Sequence, residues 1–274
     1  MTPVDVLVVN FRTPELTVQA VDAVRGPDVR ALVYDNSGDV PPGLADRADL
    51  RGDGSNHLFA DANNALFGSS DSPLVLLLNP DVVLSHADLL RLVSALEDEP
   101  AAWGAAPALR NPDGTPQNYL RRLPGLRALL ADRLPPLRPF LRRSWDAYYC
   151  RDVDLAADGH AEQPAAACLL LRRARVAGPL FDPSYPLFFN DTDLARRLNR
   201  SGPCLYVAGV HAVHHAGASI GMARAQHRSW VRRQYDDSLL RYARANVRGW
   251  QLLVPVVLAR RLLSLRPHAP GTPA

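Results

Sequence analysis

Short apolar runs, each cut off by a polar turn, alternate with amphipathic stretches along the first hundred residues. Val4–Val9 is apolar and β-branched and closes on Asn10-Phe11-Arg12-Thr13-Pro14, the pattern of a buried strand entering a loop. Thr13 can cap a helix with Pro14 at its first position, and Leu16, Ala20 and Val24 then share one helical face. Ala31–Tyr34 reads as a second strand, stopped by Asp35-Asn36-Ser37-Gly38, and Asp61–Phe67 as a short helix. Pro73–Leu78 is the strongest strand and halts at Asn79-Pro80-Asp81, after which Ser85 or His86 opens a helix through Leu96. This alternation predicts an α/β fold with a mostly parallel, doubly wound sheet covered on both faces. Ligands of such sheets bind beyond the carboxyl ends of strands, where the acidic turns at Asp35 and Asp81 fall.

Beyond residue 100 the pattern is less regular. Leu123–Leu141, dense in Pro, Leu and Arg, reads as a partly helical loop over the site. Ala165–Leu171 and Leu205–Val213 are strands, Asp191–Arg200 has helical spacing, and a long helical region runs from Ser229. Trp250–Arg266 is an apolar stretch with interspersed Arg. It is too short and too charged to span a bilayer, and fits either an interfacial helix on an anionic leaflet or a helix packed on the body or on a second copy.

Composition narrows the class. The chain is 47% hydrophobic and 22% charged, which is globular, and its net charge of +3 carries no field that would attract nucleic acid. Basic residues are nevertheless concentrated in Arg110–Arg143 and beyond His227. Cys150, Cys168 and Cys204 have neither disulfide-framework nor zinc-site spacing, so the expected compartment is the reducing cytoplasm. The first residues lack a basic segment before their apolar run and are expected to be a strand, not a signal peptide.

Four places carry candidate chemistry. Asp81 follows a strand through a rigid Asn-Pro turn, and a hard divalent cation is held by one or two carboxylates plus substrate phosphate. The same tripeptide also serves as an ordinary helix-capping turn. Asp35 ends a strand and either accepts from a pyrimidine N3–H or closes a turn. Asp191 and Asp193 stand at a helix mouth after Phe188-Phe189-Asn190, as caps or as a general base for a sugar hydroxyl. His214-His215 ends a strand and offers imidazole to a metal or phosphate, or simply packs.

Read in order, the segments VVNFRTPE, VYDNS, NHLFADANNAL, LLLNPD, NPDGTPQNYLRR, AACLLLRR, GPLFDPSYPLFFNDTDLARR and VHHAGAS resemble the family 2 inverting glycosyltransferases of GT-A fold. Within them they resemble the bacterial rhamnosyltransferase-like branch, over about residues 4–245. The resemblance implies a catalytic domain over 1–228, with a nucleotide-sugar half (1–100) and an acceptor half (101–228), followed by a helical extension over 229–274. It implies that Asn10, Phe11 and Glu15 line the nucleoside pocket, that Asp35 reads the pyrimidine, and that Asn56, Phe59 and Asn64 flank nucleotide and donor sugar. Asn79 and Asp81 stand at the metal motif, with Asp81 as ligand to Mg²⁺ or Mn²⁺. His214, in a pattern with Gly217 and Ser219, lies near metal and diphosphate, Asp191 is the catalytic base, and Arg121 or Arg122 approaches phosphate or acceptor.

Departures from the family pattern fall at Asn190 (Glu in the family), Glu162-Gln163 (Asp-Trp), Ala166 (Gly), Leu58 (Gly) and Leu66 (Gly). They bear on donor and acceptor specificity. The resemblance implies a dTDP- or UDP-sugar donor, a deoxyhexose such as rhamnose as first choice, and a glycan, lipid-linked or small-molecule acceptor. A peripheral membrane contact at the inner face of the cell membrane and a homodimer are compatible. Two rivals remain: a nucleotidyltransferase, which would carry a Gly-rich loop where NFRTPE stands, and a sugar-nucleotide-binding module without catalysis.

Overall fold

The computed structural model describes residues 2–215 and 218–264, with side chains 218–228 and 263–264 outside the description. The strands are β1 (Val4–Asn10), β2 (Val29–Asp35), β3 (Asp49–Arg51), β4 (Leu74–Leu78), β5 (Val82–Leu84), β6 (Gly104–Arg110), β7 (Gly159–His160), β8 (Cys168–Arg172) and β9 (Cys204–His214). The helices are α1 (Pro14–Val24), α2 (Leu58–Ser69), α3 (His86–Asp98), α4 (Leu126–Arg133), α5 (Arg138–Tyr148), α6 (Asn190–Leu198), α7 (Ala218–Asn246) and α8 (Leu253–Ser264).

One sheet runs β3-β2-β1-β4-β8-β6-β9-β5, with β7 on β9. Its first half is parallel, as the alternating pattern requires, with β1 between β2 and β4. Its second half is mixed, because β8 runs antiparallel to both β4 and β6. The pleat sorts β1: Val4, Val6 and Val8 pack with Ala20, Val24, Leu89 and Leu92 of α1 and α3. Leu7 and Val9 pack on the opposite face with Ala60 and Leu66 of α2 and Leu194 of α6. A third, smaller core joins α4, α7 and α8 to Tyr185 and Phe189. The expected division after residue 228 falls inside α7, and Leu123–Leu141, read as a partly helical loop, holds all of α4 and the start of α5.

Asp5 breaks the apolar run of β1 and is fully buried. Its carboxylate accepts from Arg30 Nε and Nη2 at 2.9 and 2.8 Å and from the amides of Asp71 and Ser72, tying β1 to β2 and to the turn before β4. Burial alone would raise its pKa, but Arg30 and the Ser70–Ser72 turn together hold it below the ordinary carboxylate value. A depressed carboxylate stabilises the fold above its unfolded-state pKa, and that stability is lost as pH falls through the folded value. Asp5→Asn is therefore expected to cost about 2 kcal/mol at neutral pH and to flatten the acid limb of a melting-temperature profile. An unchanged acid limb would assign acid sensitivity to other carboxylates.

Candidate functional site

A cleft of about 830 Å³ opens over the carboxyl ends of β1, β2 and β4 and is closed on the far side by α5, α6 and α7. Among the described residues four non-glycine positions have left-handed backbone, and three of them, Arg12 (φ 58), Leu58 (φ 61) and Phe189 (φ 64), line it. Strain of this kind persists where the surrounding structure over-determines it, often at binding sites. Leu58 stands where the resembled family carries glycine, and the backbone keeps the conformation glycine serves.

Phe11, Asn36, Ser37, Asn56 and Phe59 line the end of the cleft nearest β1 and β2. Other expected residues hold this end up from behind. Asn10 is fully buried and donates to Asp35 Oδ1 (3.2 Å) and Asp39 Oδ1 (2.8 Å), while its Oδ1 accepts from the Thr13 amide and Thr17 Oγ1. Asp35 does not line the cleft. Its carboxylate also takes the amides of Ser37 and Gly38 and so shapes the turn that presents Asn36 and Ser37. Gly52 presses against this turn, since an added Cβ would sit 2.5 Å from the Asp35 carbonyl oxygen. Asn64 pairs both amide atoms with the Phe181 backbone (2.8 Å each) and bolts α2 to the loop before α6. Glu15 is exposed on the first turn of α1, away from the cleft.

At the centre, Asn79, Asp81 and His214 all line the cleft. Antiparallel pairing of β5 with β9 brings His214 opposite Val82, one residue beyond Asp81. Gln117 settles the histidine's tautomer. Its Nε2 donates both to Asn111 Oδ1 (2.6 Å) and to the His214 carbonyl (2.9 Å), so its Oε1 must accept. That acceptor lies 2.9 Å from His214 Nδ1, which therefore carries the proton. Burial lowers the ring's pKa despite the Asp81 carboxylate and so favours the neutral imidazole, whose lone pair is then on Nε2. This lone pair lies 3.7 Å from Asp81 Oδ1. A neutral imidazole nitrogen and a carboxylate oxygen converging in a cleft fit a divalent cation that takes its remaining ligands from substrate. Among the described residues no group of three or more His, Cys, Asp or Glu is placed to hold a metal. Gly217 lies outside the described residues, as does the side chain of Ser219.

Asp191 sits in the first turn of α6, at the end of the cleft walled by Phe188, Phe189 and Tyr235. Its Oδ1 accepts from the Thr192 amide at 2.7 Å, and its other oxygen has no hydrogen bond among the described residues. Desolvation raises its pKa, outweighing the Thr192 hydrogen bonds. The neighbouring Asp193 is spent: it pairs with Arg197 at 2.8 Å and does not line the cleft. Asn190 is buried with Oδ1 accepting from the Asp191 amide and Nδ2 without a partner among the described residues, so the residue in place of the family Glu braces Asp191. Arg121 lines the cleft, with its guanidinium 4.3 Å from the centre of the Tyr149 ring. Arg122, the other member of the pair, turns away and makes a two-pronged contact with Asp152 (2.8 Å each). Tyr148, Trp230 and Tyr235 also line the cleft and Gln117 supports it from behind His214; of these only Gln117 lies in one of the family-like segments, NPDGTPQNYLRR.

No family model matches the chain. The N-acetylglucosaminyl-diphospho-decaprenol L-rhamnosyltransferase of Mycobacterium tuberculosis is 30% identical over 158 residues, 56% of this chain and 50% of that protein. Rhamnosyltransferase WbbL of Escherichia coli is 28% identical over 152 residues, 54% of each. The chain spans about half the length of the curated relatives it matches. Among solved structures, mannosyltransferase PcManGT from Pyrobaculum calidifontis, in complex with GDP-Man and Mn²⁺, superposes with a TM-score of 0.55 at 13% identity, over 96% of this chain and 70% of that one. GalNAc-T7 with UDP, GalNAc and Mn²⁺ gives 0.54 at 13% identity, covering 78% and 44%. TarS of S. aureus gives 0.53 at 11% identity, covering 96% and 78%. The structures establish the fold, GT-A, and the relatives bear out the rhamnosyltransferase-like resemblance.

Proposed function

We propose that this chain is an inverting glycosyltransferase that moves a sugar, rhamnose as first choice, from a nucleoside diphosphate to a hydroxyl of a lipid-linked acceptor. One observation carries the reading. Asp191, with a free oxygen and a raised proton affinity, lies in the same cleft as the converging Asp81 and His214. The acceptor class follows from the relative that uses N-acetylglucosaminyl-diphospho-decaprenol, and the deoxyhexose from both rhamnosyltransferases.

The chemistry is a single displacement. Asp191 takes the proton of the acceptor hydroxyl as its oxygen bonds to the anomeric carbon. The bond from that carbon to the diphosphate oxygen breaks on the opposite face, so the configuration inverts and the nucleoside diphosphate leaves. Asp81 and His214 would hold a Mg²⁺ or Mn²⁺ ion, which when bound supplies positive charge to the leaving diphosphate. Phe188, Phe189 and Tyr235 wall the Asp191 end with apolar surface, which excludes water and keeps the base's proton affinity high. Asn36 and Ser37 face the nucleoside end.

The test is transfer by the purified chain, with Mn²⁺, from dTDP-rhamnose, UDP-sugars or GDP-sugars to an N-acetylglucosaminyl diphospholipid. The expected product is heavier by one sugar and inverted at the anomeric carbon by NMR. Donor binding without transfer or hydrolysis across this panel would favour the non-catalytic binding module.

A further inference from the structure

α8 has two unlike faces. Leu253 and Val257 are fully buried against the third core. Pro255, Leu258, Ala259 and Leu262, spaced at i, i+3, i+4 and i+7, form one exposed stripe without a charged residue. Leu258 and Leu262 are 51% and 67% exposed, and Leu252, just before the helix, is 60% exposed.

A second exposed apolar position lies on α5, which is joined to α8 through α4 on the side of α8 away from the stripe. Arg260 Nη1 donates to the carbonyl of Arg133 at the end of α4 (3.1 Å). From there the chain runs through exposed Pro135 and Pro136 to Phe140 on α5, whose side chain is 83% exposed. Exposed single leucines are ordinary; three leucines, three prolines, an alanine and a phenylalanine on adjoining elements are not. The surrounding charge is net positive, and the acids that α7 brings to it, Asp236 and Asp237, are paired with Arg261 at 3.6 and 2.6 Å. Residues 126–148 and 250–262 hold seven arginines against two aspartates, Asp132 and Asp146. Both aspartates are paired within the fold, Asp132 with Arg133 and Asp146 with Arg142 and Arg151. Arg142 is still 82% exposed beside Phe140, and Arg143 is exposed as well.

We infer that the α5–α8 face seats the protein on an anionic phospholipid leaflet, with Phe140, Leu258 and Leu262 entering the acyl boundary and Arg142 and Arg143 meeting lipid phosphates. Apolar side chains ringed by arginine and free of unpaired acid match such a surface on both counts. The placement also serves the reaction. Tyr148, eight residues beyond Phe140 on α5, lines the cleft; the helix kinks at Leu141, and from there to Tyr148 it rises about 10 Å. A diphospholipid anchored in the leaflet thereby presents its sugar near the Asp191 side. The inference deepens the proposed function and rests on it for the lipid-linked acceptor alone. No described helix is long and apolar enough to cross a membrane, so the contact is peripheral.

The test is flotation of the full chain with phosphatidylglycerol-containing vesicles and with phosphatidylcholine vesicles, without nucleotide or acceptor. The chain should float with the anionic vesicles and be released by high salt. Phe140→Ser combined with Leu258→Ser and Leu262→Ser should lower the bound fraction about tenfold or more. Arg142→Glu with Arg143→Glu should abolish the preference for anionic lipid. Circular dichroism melting reports whether each variant folds, and Phe140→Ser alone, at a side chain already in solvent, stands in if the triple variant does not. A wild-type chain that stays at the bottom, or variants that float equally, would overturn the inference. So would a wild-type dimer in light scattering that the same substitutions split while vesicles go unbound. Transfer to a water-soluble acceptor is measured in parallel: its failure with flotation intact counts against the proposed activity and not against the surface.

Discussion

Asp191→Asn is expected to lower kcat by about 10²- to 10⁴-fold while leaving donor affinity within a few-fold of wild type. The side chain keeps its shape, and its Oδ1 can still accept from the Thr192 amide at the head of α6. What is lost is the oxygen that takes the acceptor proton. The proposed donor end of the cleft is built on other elements, β1, β2 and the Asn36–Ser37 turn. A base acting only in the transition state leaves this signature: kcat and kcat/KM fall together. Asp193→Asn is the control, since its carboxylate holds Arg197 and should affect melting more than turnover. The pH profile carries a second signature. Asp191 must be ionised to act, and desolvation raises its pKa above the ordinary carboxylate value. The acid limb of kcat should therefore lie above that value, with activity lost as pH falls through it, and the limb should vanish in the residual activity of the Asn variant. Near wild-type kcat in Asp191→Asn would remove the base from this position.

The parts of this molecule that were readable in sequence are those where one local rule decides. The apolar runs of β1, β2, β4 and β8 have few ways to be buried, and Asn79-Pro80-Asp81 can only be a turn that ends one. β6 was not readable. Gly104–Arg110 carries three alanines and Pro107, and its partner strand slips register between Pro107 and Ala108. Its strand character comes from lying between β8 and β9, not from its own side chains. α4 and α5 hid behind Pro135, Pro136 and Pro139, which mark the junction between two helices that pack on each other.

The same distinction runs through the site. Asp81, His214, Asp191, Asn79, Phe11, Asn56 and Phe59 reach the cleft from the ends of local elements. Asn10, Asp35 and Asn64 carry the same chemistry but spend it on partners up to 117 residues away, which no local pattern reveals. Arg121 and Arg122 show the limit at its sharpest. Arg121 pairs with Gln163 in an extended bridge, where successive side chains face opposite ways, so only one of the two can enter the cleft. Which one depends on Gln163, 42 positions along the sequence from Arg121.

Asp81→Ala is expected to reduce transfer by about 10²- to 10³-fold or more, and chelation of divalent metal should do the same to the wild-type chain. The argument starts from Gln117. Because both of its amide hydrogens are committed, it forces the His214 proton onto Nδ1 and leaves Nε2 as a lone pair 3.7 Å from a carboxylate oxygen. A divalent cation placed between these two atoms would be stabilised by both. Calorimetry separates this role from a merely structural one. Asp81→Ala should weaken binding of the nucleoside diphosphate in Mn²⁺ but leave the free nucleoside unaffected, and in chelator the difference between variant and wild type should disappear. Gln117→Leu reaches the same site from behind. It removes the acceptor that sets the tautomer, and loss of such a supporting contact typically lowers metal affinity about 10- to 100-fold. Gln117→Glu keeps an acceptor toward Nδ1 and should restore part of the Mn²⁺ affinity, although it gives up the donor to the His214 carbonyl. Full transfer in chelator, with wild-type diphosphate binding in Asp81→Ala, would move leaving-group stabilisation to Arg121, an arginine that lines the cleft.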